Sequence, residues 1–164
     1  HRAELWTSYV RVVEALRPRA VLMENVPDLA GWDDGAVLIG FLESLRELGY
    51  HVEARILEAW RHGVPQHRTR LFIIGLQGHG EIVWPEPVEP APTLRDAIFD
   101  LPPVAGAQRR DTIPYWSEPE SALSRRLRRE VPAEDAGLLH DHVTRDVRPD
   151  DAEAFALLPE GGTY

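Results

Sequence analysis

The sequence predicts an α/β protein built on a mostly parallel sheet. Three observations carry this. Residues 3–17 and 35–50 have helical apolar periodicity. Residues 20–24 and 70–76 are short apolar runs bounded by breakers, the pattern of buried strands. Residues 51–59 alternate in the manner of a strand, which completes the order helix, strand, helix, strand, loop, strand.

The first helix places Leu5, Tyr9, Val12, Val13 and Leu16 at spacings of mostly three and four, and Pro18 ends it by disfavouring helical geometry at Arg17. Ala20-Val21-Leu22-Met23-Glu24 follows as a buried parallel strand, and Asn25 with Pro27-Asp28 starts a turn. The second helix puts Val37, Leu38, Phe41, Leu42, Leu45 and Leu48 on one face, with Gly49 as its stop. The strands at 51–60 and 70–76 are close in sequence, which suits an antiparallel edge.

Beyond Gly80 the texture changes. Residues 82–93 carry four prolines and read as a connector or extended edge. Thr93 is placed to cap a short helix that Pro102-Pro103 stops. Residues 104–118 read as irregular loop. A short arginine-rich helix at 121–130 and a helix at 149–158 with an acidic first turn complete the chain. The boundary is placed near residue 85, dividing a compact α/β piece (1–85) from a loop-rich segment (86–164).

At 164 residues with 43% apolar and 27% charged side chains, the chain can bury a core and is not globally disordered. No apolar run is long enough to span a bilayer, so no membrane partner is expected. The absence of cysteine excludes disulfides, thiolate–metal sites and a cysteine nucleophile within this chain. A formal charge of -9 argues against non-specific coating of nucleic acid, but not against a local basic site. Every basic residue among the 18 is arginine, a composition that GC-rich coding explains as readily as function. The chain opens at His1 inside a helical pattern and closes at Pro159-Glu160-Gly161-Gly162-Thr163-Tyr164, and it reads as an excerpt of a longer polypeptide.

Two stretches carry candidate chemistry. Glu24-Asn25-Val26-Pro27 lies at the carboxyl end of the first strand, where ligands of open α/β sheets bind. After the apolar run 20–23 its carboxyl group is expected to be partly desolvated, which favours the protonated form and a hydrogen bond to a ring nitrogen. An ordinary acidic turn residue is the alternative. The second is Gln66-His67-Arg68-Thr69-Arg70. In extended geometry Gln66, Arg68 and Arg70 form one polar row suited to a phosphate backbone or a base edge, with Pro65 fixing the approach. A solvated loop with two surface arginines is the alternative. His62 and His67 have no clustered metal-binding partner in the sequence and read as surface or DNA-facing histidines. Arg125, Arg126, Arg128 and Arg129 spread too far around a helix to make one stripe. They read as a solvated helix, with a DNA-facing patch as the alternative.

Taken together, residues 19–29 (Arg19 to Leu29, containing Glu24-Asn25-Val26) and 57–75 (Leu57 to Gly75, containing Gly63-Val64-Pro65-Gln66-His67-Arg68-Thr69-Arg70) resemble the middle of a DNA cytosine-5 methyltransferase. Residues 2–18 are similar to the family's helix after its nucleophile loop. Residues 92–103 and 140–164 resemble, more loosely, the stretch that leads into its target-recognition domain. The resemblance implies a Rossmann-like, S-adenosylmethionine-dependent methyltransferase sheet with flanking helices. It also implies a target cytosine flipped out of the duplex, attacked at carbon 6 by a cysteine and methylated at carbon 5.

By the same resemblance, Glu24 holds ring nitrogen 3 and the exocyclic amine, and Arg70 reaches the base carbonyl oxygen and a nearby phosphate. Arg68 and Gln66 hold the DNA backbone and loop, Asn25 braces the nucleophile loop, Pro65 supports the turn, and Leu5 touches the cofactor, with a core leucine as the equal alternative. The family's proline-cysteine nucleophile and glycine-rich cofactor loop have no counterpart here, so the chain alone is expected to be inactive. The implied partners are double-stranded DNA and the remainder of the catalytic domain, or a partner subunit that supplies it. A bacterial, cytoplasmic, DNA-associated setting with restriction-modification is implied, and a dimer of the isolated fragment is an open alternative. A non-catalytic binding module with the same fold is the remaining one.

Overall fold

The computed structural model describes residues 5–78, 80–104, 109–144 and 146–159, and its backbone divides into two units, residues 1–92 and 93–164.

In the first unit, α1 (Leu5–Leu16) leads to β1 (Ala20–Asn25) through a tight turn in which Arg17 takes a left-handed conformation, φ 46°. The Arg17 side chain secures that turn, donating to the carbonyls of Glu14 and Leu48. The Tyr50 hydroxyl donates to the Pro18 carbonyl, so the α1–β1 turn is tied to the start of β2. A kinked 3₁₀ stretch, Pro27–Gly35, then enters α2 (Ala36–Glu47), and Gly49, at φ 89°, supplies the left-handed step before β2 (Tyr50–Glu58). A 3₁₀ turn at Ala59–His62 opens the loop to β3 (Thr69–Gln77).

The sheet order is β1-β3-β2, and β3 is antiparallel to both neighbours. This corrects the expectation of a mostly parallel sheet: every strand pair among the described residues is antiparallel, including the anticipated 51–60 and 70–76 edge. β1 and β2 do run in the same direction, because α2 crosses over between them. β3 then inserts between the two, and its short connection from β2 reverses it. Periodicity gives strands and crossovers but not the order in which strands are laid down.

One face of this sheet is the core. Phe41, Leu45 and Ile73 are at most 1% exposed, and each contributes about 1.5–3 kcal/mol by burial. Trp6 and Tyr9 meet the Phe41 ring edge-on, at 6.2 and 5.6 Å. Gly75 on β3 is flanked by Val21 on β1 and Val52 on β2. A Cβ there would stand 2.7 Å from Val21 Cγ2 and 3.5 Å from Tyr50 Cβ. On the other face, residues after β3 bring Trp84 over β2. Its indole donates to Glu53 Oε2 at 2.7 Å and Arg55 stacks on it at 5.0 Å. β1 was expected to be buried on both faces; instead only Val21 is buried and Leu22 is 61% exposed. The outer edge of β1 has no paired strand among the described residues.

The second unit is held by polar fasteners more than by apolar burial. Thr93 caps α3 (Leu94–Ile98), as the sequence led one to expect, and with Asp96 it forms a capping box; Ser121 with Ser124 repeats the device on α4 (Ala122–Arg129). The Ser121 hydroxyl also donates to the Asp96 carbonyl, which joins the two caps. Hydrogen bonds from the Thr93 hydroxyl and amide hold the Asp96 carboxyl below its ordinary pKa. Residues 104–118 were read as irregular, yet Ile113–Pro114 forms β4 and pairs with β5 (Leu138–Leu139). α5 (Pro149–Leu157) starts with proline and has Asp150 and Asp151 in its first turn.

Arg128 corrects the reading of α4 as a solvated helix. Its Nε and Nη2 lie 2.8 and 2.7 Å from Asp100 Oδ2, its Nη2 donates to the Ser117 carbonyl, and its guanidinium stacks on Tyr115 at 3.8 Å. Asp100 is 3% exposed. Arg128 is therefore the internal counter-ion of a buried carboxylate.

Candidate functional site

Glu24 sits one residue before the end of β1, opposite Phe72 on β3. Paired residues share a face of the sheet and so do residues two apart along a strand, so Glu24 and Arg70 project from the same side. The ion pair follows: Arg70 Nε is 2.9 Å from Glu24 Oε1, and Arg68 Nη2 is 3.7 Å from the same oxygen. Arg70 also donates from Nη1 to the Thr69 carbonyl at 2.7 Å, which fixes the orientation of its guanidinium plane. The Glu24 side chain is 44% exposed and that of Arg70 23%. The Glu24 carboxylate is thus partly covered and partly open, with the second face of β1 left exposed at Leu22 and Glu24 among the described residues.

The loop that delivers the arginines is compact. Gly63 adopts φ 84°, and the Val64 amide donates to the Ala59 carbonyl. The Gln66 amide donates to the Val64 carbonyl at 2.7 Å, closing a three-residue turn centred on Pro65. The Ala59 amide then donates to the Arg68 carbonyl, which closes the neck of the loop. Extended structure begins only at Thr69. Gln66, Arg68 and Arg70 are consequently not one extended row: the two arginines converge on Glu24, and Gln66 is carried on the exposed turn.

Trp60 was not singled out in the sequence. Its ring faces His67 at 5.8 Å and carries Arg61 at 5.0 Å, so it packs the loop against itself. An aromatic residue inside an arginine-rich loop is the signal that could have found it. His62 is half-buried rather than on the surface, and its buried Nδ1 has no hydrogen-bond partner among the described residues.

Asn25 uses its Oδ1 to accept from the Val26 amide at 2.8 Å, which turns the chain away from the sheet. Asn25 also lines a cavity of about 500 Å³ at the end of β1, framed by Leu5, Trp6, Tyr9, Asp28 and Trp32. Burial, and secondarily Tyr50, raises the Tyr9 pKa, which keeps the phenol protonated and able to donate to the Leu22 carbonyl. Apolar and aromatic walls with one amide and one carboxylate suit a ligand that combines a planar ring with hydrogen-bond donors. Among the described residues, no group of three histidine or acidic side chains is placed to hold a metal. No described helix is long and apolar enough to cross a membrane.

Residues 1–128 match the family model for C-5 cytosine-specific DNA methylases. The chain is 34% identical over 153 residues to the type II methyltransferase M.AgeI of Thalassovita gelatinovora, covering 78% of this chain and 36% of that protein. It is 31% identical over 176 residues to DNA (cytosine-5)-methyltransferase 1A of rice, covering 89% of this chain and 11% of that one. The chain thus spans about a third or less of the length of these relatives. Among solved structures it resembles one described as a proposed DNA modification methyltransferase encoded within an E. coli prophage. The TM-score is 0.72 at 20% identity, with 96% of this chain and 51% of that chain covered, and the likeness is one of fold.

Proposed function

The chain belongs to the C-5 cytosine-specific DNA methylase family, and from that premise we propose that it is a piece of a DNA (cytosine-5)-methyltransferase whose target-base pocket is built on Glu24 and Arg70. The observation that supports this reading is the 2.9 Å approach of Arg70 Nε to Glu24 Oε1. A carboxylate and a guanidinium side by side match two neighbouring edges of a pyrimidine. Glu24 accepts from the exocyclic amine and shares a proton with ring nitrogen 3, while Arg70 donates to the carbonyl oxygen. Both guanidinium groups approach Oε1.

In this reading Arg70 acts twice. It orients the carboxylate before the base arrives, and it stabilises negative charge that develops on the ring when the base is attacked. Arg68, 48% exposed and only loosely paired with Glu24, is free to swing to a backbone phosphate. Gln66 on its turn faces the same backbone, Pro65 holds that turn, and Asn25 braces the adjoining nucleophile loop. S-adenosylmethionine, when bound, supplies the methyl group, and the cavity beside Leu5 forms one wall of its site. Leu5 contributes apolar surface there, while Asn25 and Asp28 offer acceptors. Residues 1–85 form the later half of the catalytic core and 86–164 the segment leading to target recognition.

Among the described residues the outer edge of β1 is unpaired and Leu22 on its face is exposed, which supports the view that a further part of the enzyme covers this strand. The partners are double-stranded DNA and that remaining part, and the setting is the bacterial cytoplasm. The chain alone, without cysteine, does not transfer methyl groups. The test has two arms. The 164-residue chain mixed with S-adenosylmethionine and duplex DNA yields no 5-methylcytosine. The full-length protein that carries it methylates DNA, and Glu24→Gln reduces that activity at least a hundredfold. Methyl transfer by the chain alone refutes the first arm, and an undiminished Glu24→Gln enzyme refutes the second.

A further inference from the structure

α4 carries four arginines, and the structure separates them by role. Arg128 is removed from the surface by Asp100, Tyr115 and Ser117. The remaining three are exposed. At 3.6 residues per turn, Arg125 and Arg126 are about 100° apart around the axis and Arg129 falls between them, so the three share one face. The opposite side holds Leu123 and the buried Ser124. Arg125 donates from Nη1 to the carbonyls of Pro119 and Glu120, which fixes one edge of the face. Among the described residues, none of these three guanidinium groups lies within 4.0 Å of a carboxylate, in a chain with 27 acidic and 18 basic side chains. The helix dipole favours cations near this C-terminus. It does not by itself explain three on one face while the fourth is spent inside.

We propose that this face of α4, Arg125, Arg126 and Arg129, is a contact for the phosphodiester backbone of double-stranded DNA. The capping box at Ser121 and the Arg128–Asp100 anchor hold the helix rigid, so the three forks are presented together. Such a contact positions the duplex without reading bases. It rests on the methyltransferase reading only for the choice of polyanion.

The experiment measures binding of the 164-residue chain to two labelled duplexes of unrelated sequence by fluorescence anisotropy, from about 50 to 200 mM salt. It compares the wild type with the double variant Arg126→Gln/Arg129→Gln. Glutamine retains helix propensity, and circular dichroism verifies an unchanged melt. The exposed Arg109→Gln, whose partner is Asp146, serves as the control for generic loss of charge. Removing two phosphate contacts lowers the slope of log affinity against log salt by about 1.8. Over this fourfold range, the wild type therefore loses about tenfold more affinity than the double variant. The loss is expected on both duplexes, and Arg109→Gln is expected to behave as wild type. Unchanged affinity and slope in the double variant, or no measurable DNA binding by the wild type, overturns the assignment. Neither outcome touches the Glu24–Arg70 pocket, which stands or falls on methyl transfer by the full-length enzyme.

Discussion

Arg70 Nε lies 2.9 Å from Glu24 Oε1, with Arg68 Nη2 at 3.7 Å from the same oxygen. The pair joins the tip of an edge strand to the start of the central one, and it is partly open to solvent. Partly exposed ion pairs contribute about 0–1 kcal/mol to folding, so Arg70→Ala is expected to shift the melt of this chain only slightly. The same substitution in the full-length enzyme removes an oriented donor from the proposed base pocket and is expected to reduce turnover by about 10²–10³. Thermal melts of the chain beside methyl incorporation by the enzyme separate the two. A large loss of stability with modest loss of turnover assigns the pair to folding instead.

Arg128 and Asp100 predict the opposite balance. Removing one member of a buried pair strands the other, at a cost of about 3–5 kcal/mol. Arg128→Ala leaves Asp100, 3% exposed, without its counter-ion, and also removes the stack on Tyr115. Denaturant melts of the chain should show a loss of this size for Arg128→Ala. Asp100→Asn strands the Arg128 guanidinium instead, but that group is 20% exposed and keeps the Ser117 carbonyl and the Tyr115 ring as partners, so this variant should lose less. Equal and small effects in both variants mean that α4 is not anchored by this pair.

The sequence made the elements of the first unit legible because their apolar spacing is regular and their breakers are sharp: Pro18, Gly49 and the loop around Gly63 each end or turn an element where expected. The convergence of Glu24 and Arg70 was implied by the resemblance, and the strand register explains it physically. Sheet order was not legible, because β3 enters between β1 and β2 through tertiary pairing that leaves no local trace. The open face of β1 was not legible for the same reason: an apolar run reads alike in a central and an edge strand. The inward turn of Arg128 was hidden too, since its partner Asp100 lies on a different element and nothing in Arg-Arg-Leu-Arg-Arg marks which arginine is used.

Gly75 tests the register directly. A methyl group there would stand 2.7 Å from Val21 Cγ2, closer than real Cβ contacts allow. Gly75→Ala is expected to cost about 1–3 kcal/mol through overpacking. Val21→Ala removes the offending methyl, so the double variant should be more stable than the sum of the two single losses implies. Additive losses would place Val21 and Gly75 apart and refute the pairing of β1 with β3.

The Trp84 anchor gives a pH prediction. Its indole hydrogen bond, followed by smaller contributions from His51 and Arg55, holds the Glu53 carboxyl below its ordinary value of 4.5. A carboxyl with a lowered folded-state pKa binds protons less readily in the native state than when unfolded. Its stabilisation is therefore complete above 4.5 and is lost as pH falls through the lower, folded value. Acidification below 4.5 should loosen Trp84 from the sheet and change tryptophan emission before the far-ultraviolet signal of the fold is lost. Because the chain has five tryptophans, the comparison that decides is with Glu53→Gln, which cannot titrate. The acid-induced change assigned to Trp84 should vanish in that variant. Identical emission profiles in the two proteins would detach the effect from Glu53, and with it the claim that this carboxylate fixes the indole on the second face of the sheet.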